Sequence, residues 1–242
     1  MPEFPLFLKD LKLRFPNEIF QELEAGRAVR EAEVRLLQNL AESETDKDRQ
    51  NALRRSLVLV TYAHLEGFAK FAMDGYASAV NSAKIPCSEA IAPLVAATLH
   101  KTFAALRHIQ SKHPIFGGPL PDDSALHMAW REQEFVRQIG PLMATSVNIP
   151  DNVIDTESNL SPAVLKKNMY RLGLPFDVLA GHDGHISMLL GKRNQIAHGE
   201  LTTPTKADTD QYVSTAFDVM QFVQAEVYDA LTKKAYQRPV AA

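Results

Sequence analysis

The stretch GKRNQIAHGE, residues 191–200, places a guanidinium, a carboxamide and an imidazole within six positions: Arg193, Asn194 and His198. Arginine offers a permanent, forked set of donors that suits phosphate. Histidine moves a proton near neutral pH. Together they suffice for cleavage of RNA without a metal. The imidazole assists deprotonation of a ribose 2′-hydroxyl, or protonation of the leaving oxygen, and the guanidinium stabilises charge on the phosphorane. DNA lacks that hydroxyl and is inert to this route.

The spacing alone is a weak signal, because thirteen arginines and eight histidines give ~0.4 chance pairs at one fixed separation. A second pair exists in RHIQSKH, Arg107 and His113. It runs directly into Pro114 and a Gly/Pro-rich loop, so it lacks an ordered helical setting. An ideal helix turns roughly 100° per residue, which sets Arg193 and His198 about 140° apart. They converge only if the helix ends or distorts between them, and Gly199 is the expected terminator. Asn194 and His198, four apart, share a face. Both Arg193 and His198 are expected near solvent at a helix end.

The elements that must position this motif read as helices almost throughout. Residues 17–42 carry a helical rhythm of apolar positions, and residues 53–80, LRRSLVLVTYAHLEGFAKFAMDGYASAV, form the most apolar helix, expected at the centre. KIPCSEA breaks it, and Ser88 is placed to cap a further helix to about Ile109. Residues 111–160 hold two Gly/Pro-rich or polar loops around one helix, and are expected to be an insertion, since so short a segment rarely builds its own core. Ser161, Pro162 and Gly173 have the order of a cap, a first turn and a stop. The motif helix follows, with Asp183 as its expected N-cap. The last helix starts at a Thr205/Asp208 capping box and carries a stripe from Val213 to Leu231. The expectation is one all-α domain, a bundle of four to five core helices over residues 1–242.

Composition narrows the classes. A net charge of −3 leaves no global electrostatic reason to bind nucleic acid or an anionic membrane, so any RNA surface must be a local patch. Cys87 is the only cysteine, which forbids an intramolecular disulfide and favours the cytoplasm. The N-terminus lacks a signal-peptide pattern, and no run is long and apolar enough to span a membrane. Lys192, Lys167 and Arg171, with Lys166, are the candidate RNA-binding rim, although lysines on a solvated helix face are ordinary. His182 and His185 have a spacing at a helix start that could bind a metal, but no third ligand is evident and Asp183 is better explained as the N-cap. His64, Tyr62, Trp130 and Phe135 read as packing residues. Glu66 sits in a strongly apolar helix, where an unpaired carboxylate is costly. No Walker loop, dinucleotide fingerprint or zinc cysteine set appears, so neither cofactor nor metal is expected.

With YAHLEGFAKFAMDGY on the second helix, SNLSPAVLKKNMYRLGL ahead of the motif and RNQIAHGE itself, the chain resembles the HEPN superfamily, and within it the prokaryotic MAE-like HEPN family. The resemblance spans roughly residues 25–235. Its hallmark is an arginine followed by a polar residue and, four to six positions on, a histidine, which Arg193, Asn194 and His198 fit. The resemblance implies a helical bundle, usually dimeric, with two motifs facing a shared cleft. It also implies a polar side chain near the motif on the second helix, a place Glu66 fills. Many such proteins are metal-independent endoribonucleases of toxin–antitoxin or phage-defence systems, with an antitoxin as a possible partner. Others only bind a nucleotide, RNA or a protein.

Overall fold

The computed structural model describes residues 15–117, 123–157 and 159–239. Among them lie eight α-helices and no β-sheet: α1 (Pro16–Ser43), α2 (Lys47–Ala83), α3 (Ala92–Thr98), α4 (His100–Arg107), α5 (Ser124–Ala144), α6 (Pro162–Leu172), α7 (Asp183–Ala197) and α8 (Lys206–Thr232). None is long and apolar enough to cross a membrane. The all-α expectation holds.

α2 is the axis of the bundle, as its composition predicts. Asp46 caps it by accepting from the amides of Asp48 (2.9 Å) and Arg49 (3.0 Å). Its side chains Leu65, Phe68, Ala72, Met73, Tyr76 and Val80 are fully buried. α1 and α8 lie along it and against each other. Gln38 reaches Asp210 (2.7 Å) and Arg27 reaches Gln224 (2.8 Å), so α8 runs antiparallel to α1 and parallel to α2. The predicted capping box starts α8, with Asp208 Oδ2 accepting from the Thr205 amide at 2.8 Å.

α6 follows its local signals closely. Ser161 accepts from the Val164 amide (3.2 Å), Pro162 opens the helix, and Gly173 ends it at φ +69°. A Cβ at Gly173 would stand 2.4 Å from Ile91 Cδ1, so this position needs glycine for its space as well as its backbone.

Two boundaries differ from expectation. Ser88 caps no helix: it lies in the 3-10 turn Cys87–Glu89, and Ile91 precedes α3. A helix begun at Ser88 would carry Pro93 in its interior, where the ring clashes with the carbonyl four residues back. The chain starts α3 at Ala92 instead and breaks again at Leu99, so one expected helix is two short ones. Asp183 is the first residue of α7 rather than its cap, because the 3-10 turn Asp177–His182 runs straight into it. Its carboxylate instead accepts from Lys166 (2.5 Å).

Residues 111–160, expected as an insertion, have two halves. α5 lies against α4 and the Cys87–Glu89 turn, and His127 is its only buried residue. Trp130 packs edge-on against His113 and Phe135 against Phe103. After α5 the chain turns inward. Val147, Ile149, Ile154 and Leu160 join the main core at 5% exposure or less, and Asn81 holds the Ile149 backbone through both its amide and its oxygen.

Candidate active site

α7 keeps regular geometry through Ala197 and then closes on glycine. The Gly199 amide donates to Ile196 O (3.0 Å) and the Glu200 amide to Gln195 O (3.0 Å), with Gly199 at φ +86°. That pair of bonds is the Schellman stop, which only glycine adopts without strain. Gly199 therefore terminates the helix where the sequence places it. His198 is the last residue before the stop, its amide bonded to Asn194 O at 2.9 Å.

Because α7 is intact between them, Arg193 and His198 leave it on different faces. Arg193 turns inward and is half-buried; His198 is exposed, and its ring has no hydrogen-bond partner among the described residues. Of the two side chains Asn194 could position, its carboxamide serves the arginine.

The arginine is clamped on three sides. Its Nη1 donates to Asn159 Oδ1 (3.0 Å) and to Asn194 Oδ1 (2.8 Å). Its guanidinium carbon stands 4.8 Å from the centroid of the Tyr62 ring, a cation–π contact. The two N–H groups on Nη1 are thereby occupied. Nε and Nη2, which carry the other three of a guanidinium's five donors, have no partner among the described residues.

Each arm of the clamp is itself held. Tyr62 is 1% exposed, and its hydroxyl accepts the Leu160 amide. Burial, aided by the nearby Glu66 carboxylate and opposed by the Leu160 bond and the Arg193 charge, pushes the Tyr62 phenol up to about 12. Tyr62 is therefore a neutral hydroxyl at any physiological pH. Asn159 sits in the loop before α6. Buried Asn168 pins that loop, accepting from the Asp155 amide (3.2 Å) and donating to Asp155 O (2.8 Å).

The other sequence candidates lie as follows. Glu66, half-exposed one turn beyond Tyr62, forms no ion pair with Arg193 among the described residues; it reaches the site through the Tyr62 hydroxyl. Lys192 donates to Thr202 Oγ1 (2.9 Å) in the loop between α7 and α8. Lys167 is ion-paired with Glu157, and Arg171 donates to Val153 O (3.3 Å). These three cations are thus engaged locally and do not converge on Arg193. His64, taken for a packing residue, is instead bonded to Glu33 (2.9 Å) at the surface. The described residues contain no group of three or more His, Cys, Asp or Glu placed to hold a metal ion.

Tyr62 and Asn159 are the site residues that sequence reasoning missed. Tyr62 does carry a signal, its position four residues before Glu66, a carboxylate in an apolar helix. Asn159 carries none.

The helical bundle and the arginine–polar–histidine motif at the end of α7 define a class that comparison makes definite. The model of the RiboL-PSP-HEPN family matches residues 27–229, and the chain belongs to that family. The HEPN superfamily expected from the sequence is thereby shown, with RiboL-PSP-HEPN as the matching branch where the resemblance had suggested the MAE-like one. HEPN domains are generally RNase-type or nucleotide-binding modules that commonly bind RNA and often dimerise. No curated protein and no solved structure gives a significant match.

Proposed function

We propose that this protein is a metal-independent endoribonuclease of a toxin–antitoxin or phage-defence system, cytoplasmic and active as a homodimer. The observation that carries the reading is the clamped Arg193, oriented by Asn159, Asn194 and Tyr62 with Nε and Nη2 left open. A guanidinium held this way is preorganised for a phosphate, since its ordering cost is met before the ligand arrives. His198 takes the proton of a ribose 2′-hydroxyl. The 2′-oxygen attacks the adjacent phosphorus, the bond to the 5′-oxygen breaks, and a second imidazole returns a proton to that oxygen. The products are a 2′,3′-cyclic phosphate and a free 5′-hydroxyl.

One chain supplies one such imidazole, and it faces away from Arg193. A two-fold axis beside α7 repeats His198 in the same cleft. The exposed face of α7 supports this: Gly184, Met188, Gly191, Gln195 and His198 line it at spacings of four and three, and Met188 is 54% exposed. Cβ atoms at Gly184 and Gly191 would meet nothing among the described residues within 4 Å, which leaves room for a second helix to approach closely.

The test is purified protein with total RNA in EDTA. Cleavage that survives chelation and leaves cyclic phosphate ends is the expected result; loss on chelation, with recovery on adding a divalent ion, rejects the mechanism. The second reading is a non-catalytic binder of RNA, nucleotide or protein, and it is favoured by the local engagement of Lys192, Lys167 and Arg171, which leaves no cluster of free cations among them for RNA. Binding of RNA by the wild type without cleavage under any condition selects it.

A further inference from the structure

We propose that Arg55 on α2 is a second phosphate-binding side chain, which receives a backbone phosphate of single-stranded RNA next to the one held by Arg193. The proposal rests on the reading that this site acts on RNA.

It starts from helix directions. α7 enters α8 through residues 198–205, and Lys192 lies close enough to Asp208 to lower its pKa, after the larger effect of the Thr205 hydrogen bonds. α7 therefore runs antiparallel to α8, and so to α2. Long side chains on a helix lean toward its N-terminus. On antiparallel neighbours they lean toward one another, and Arg193 and Tyr62 meet in this way. The backbone of Arg193 is thus level with a part of α2 that precedes Tyr62.

Arg55 occupies that part. It precedes Tyr62 by seven residues, so it lies within about 20° of the same azimuth and roughly 10 Å along the axis. Its own lean carries it away from Tyr62, toward the end of α7 where His198 sits. Arg55 is half-buried, yet it makes no ion pair, hydrogen bond or ring contact among the described residues. Most arginines here are satisfied: Arg27 by Gln224 and Glu31, Arg30 by Phe68 and Phe71, Arg131 by two carbonyls. The nearest carboxylate on the same face of α2, Asp48, lies seven residues earlier and is not paired with it. A half-buried cation with no partner, on the face that presents the Arg193 clamp, suits an anion supplied from outside. A polynucleotide spaces anions along one strand, so two cations on one line read its backbone without reading its bases.

The experiment measures binding of a fluorescent, single-stranded 2′-O-methyl oligoribonucleotide, which cannot be cut through its 2′-oxygen, across a salt series. Arg55→Gln keeps most of the stem and removes the charge. Arg107→Ala, at an exposed arginine at the end of α4 that has no partner among the described residues, is the charge-matched control. The expected result is a roughly tenfold loss of affinity for R55Q near physiological salt. The slope of log affinity against log salt should fall by about 0.7, one single-strand phosphate contact, while R107A follows the wild type. R55K, which retains a charge, should recover the slope if R55Q proves poorly folded by circular dichroism. An unchanged slope in R55Q, or an equal loss in R107A, overturns the proposal and leaves the nuclease reading standing. Wild-type protein that neither binds nor cleaves RNA overturns both.

Discussion

Arg107 closes α4 and His113 follows in the loop beyond it, at nearly the spacing of Arg193 and His198 at the end of α7, yet the two surroundings treat the side chains in opposite ways. α4 ends in extended backbone at His108, with no left-handed stop. Arg107 projects into solvent without a partner among the described residues, while His113 is absorbed into packing. Its ring stands 4.8 Å from Phe116 and 5.6 Å from Trp130, and its Nδ1 accepts the Ile115 amide at 3.1 Å. At α7 the assignment is reversed: the arginine is ordered and the imidazole is free. A phosphate site needs an ordered cation, because three fixed contacts remove the rotamer entropy that binding would otherwise cost. A proton-transfer group must keep its nitrogens available. The difference between the pairs lies in the contacts around them and not in their spacing.

The largest expected effect tests that contrast. Arg193→Ala and His198→Ala should each lower cleavage by about 100- to 1,000-fold, whereas Arg107→Ala and His113→Ala should leave it within a factor of two or so. Single-turnover rates on a defined RNA make the measurement. Stability should separate the first two variants. His198 is exposed, so its loss should stay within about 0.5 kcal/mol. Arg193 was expected near solvent too, but its hydrogen bonds and ring contact make its truncation cost about 1–3 kcal/mol. Equal activity in the H113A and H198A proteins would erase the distinction.

Subunit mixing probes whether the free imidazole works in pairs. Excess His198→Ala protein, under conditions that allow exchange, should suppress wild-type activity more than dilution does, because each mixed dimer lacks one of two proton-transfer groups. Mixed dimers that retain half the activity, or an active species that sediments as a monomer, would show that one chain suffices.

A smaller effect separates two of the three arms of the clamp. Asn159→Ala should slow cleavage about tenfold with little loss of stability, since Asn194 and Tyr62 still hold the guanidinium. Tyr62→Phe keeps the ring but leaves the Leu160 amide without its acceptor, so it should cost about 1–3 kcal/mol and change the rate less. The phenol also makes a pH test. Its folded-state pKa is raised from 10.0 to about 12, so its stabilising contribution is complete below pH 10 and lost as pH rises toward about 12. The wild type should lose stability across that window more steeply than Tyr62→Phe. Parallel pH profiles for the two would refute the assignment.

What the sequence revealed divides along the same line. α6 and α8 were legible because their signals are local: Ser161, Gly173, Thr205 and Asp208 act on backbone within a few residues. The motif and its stop at Gly199 were legible for the same reason. The clamp was not, because it joins residues 34 positions apart for Asn159 and farther still for Tyr62. A tyrosine on the buried face of an apolar helix looks like packing, and Tyr62 does pack; its second role exists only once α7 lies across it. The break at Pro93 was visible in principle, since a proline five residues into a proposed helix argues against that helix.

The smallest expected effect concerns the stop that sets His198 apart from His113. Gly199 holds φ +86° and a Cβ there would meet nothing within 4 Å, so a substitution is strained by backbone conformation alone. Gly199→Ala should cost about 1–2 kcal/mol, the left-handed penalty of an L-residue, read as a shift in the urea midpoint at constant slope. Gly199→Asn should cost less, because asparagine tolerates that region better. If alanine is accommodated by unwinding the last turn, the amide bonds to Gln195 O and Ile196 O break and His198 moves with the backbone. Cleavage should then fall a few-fold in Gly199→Ala and recover in Gly199→Asn in step with stability. A Gly199→Ala protein with full activity and lowered stability would mean that the position of His198 is fixed by something other than this helix end, and the second subunit would be the place to look.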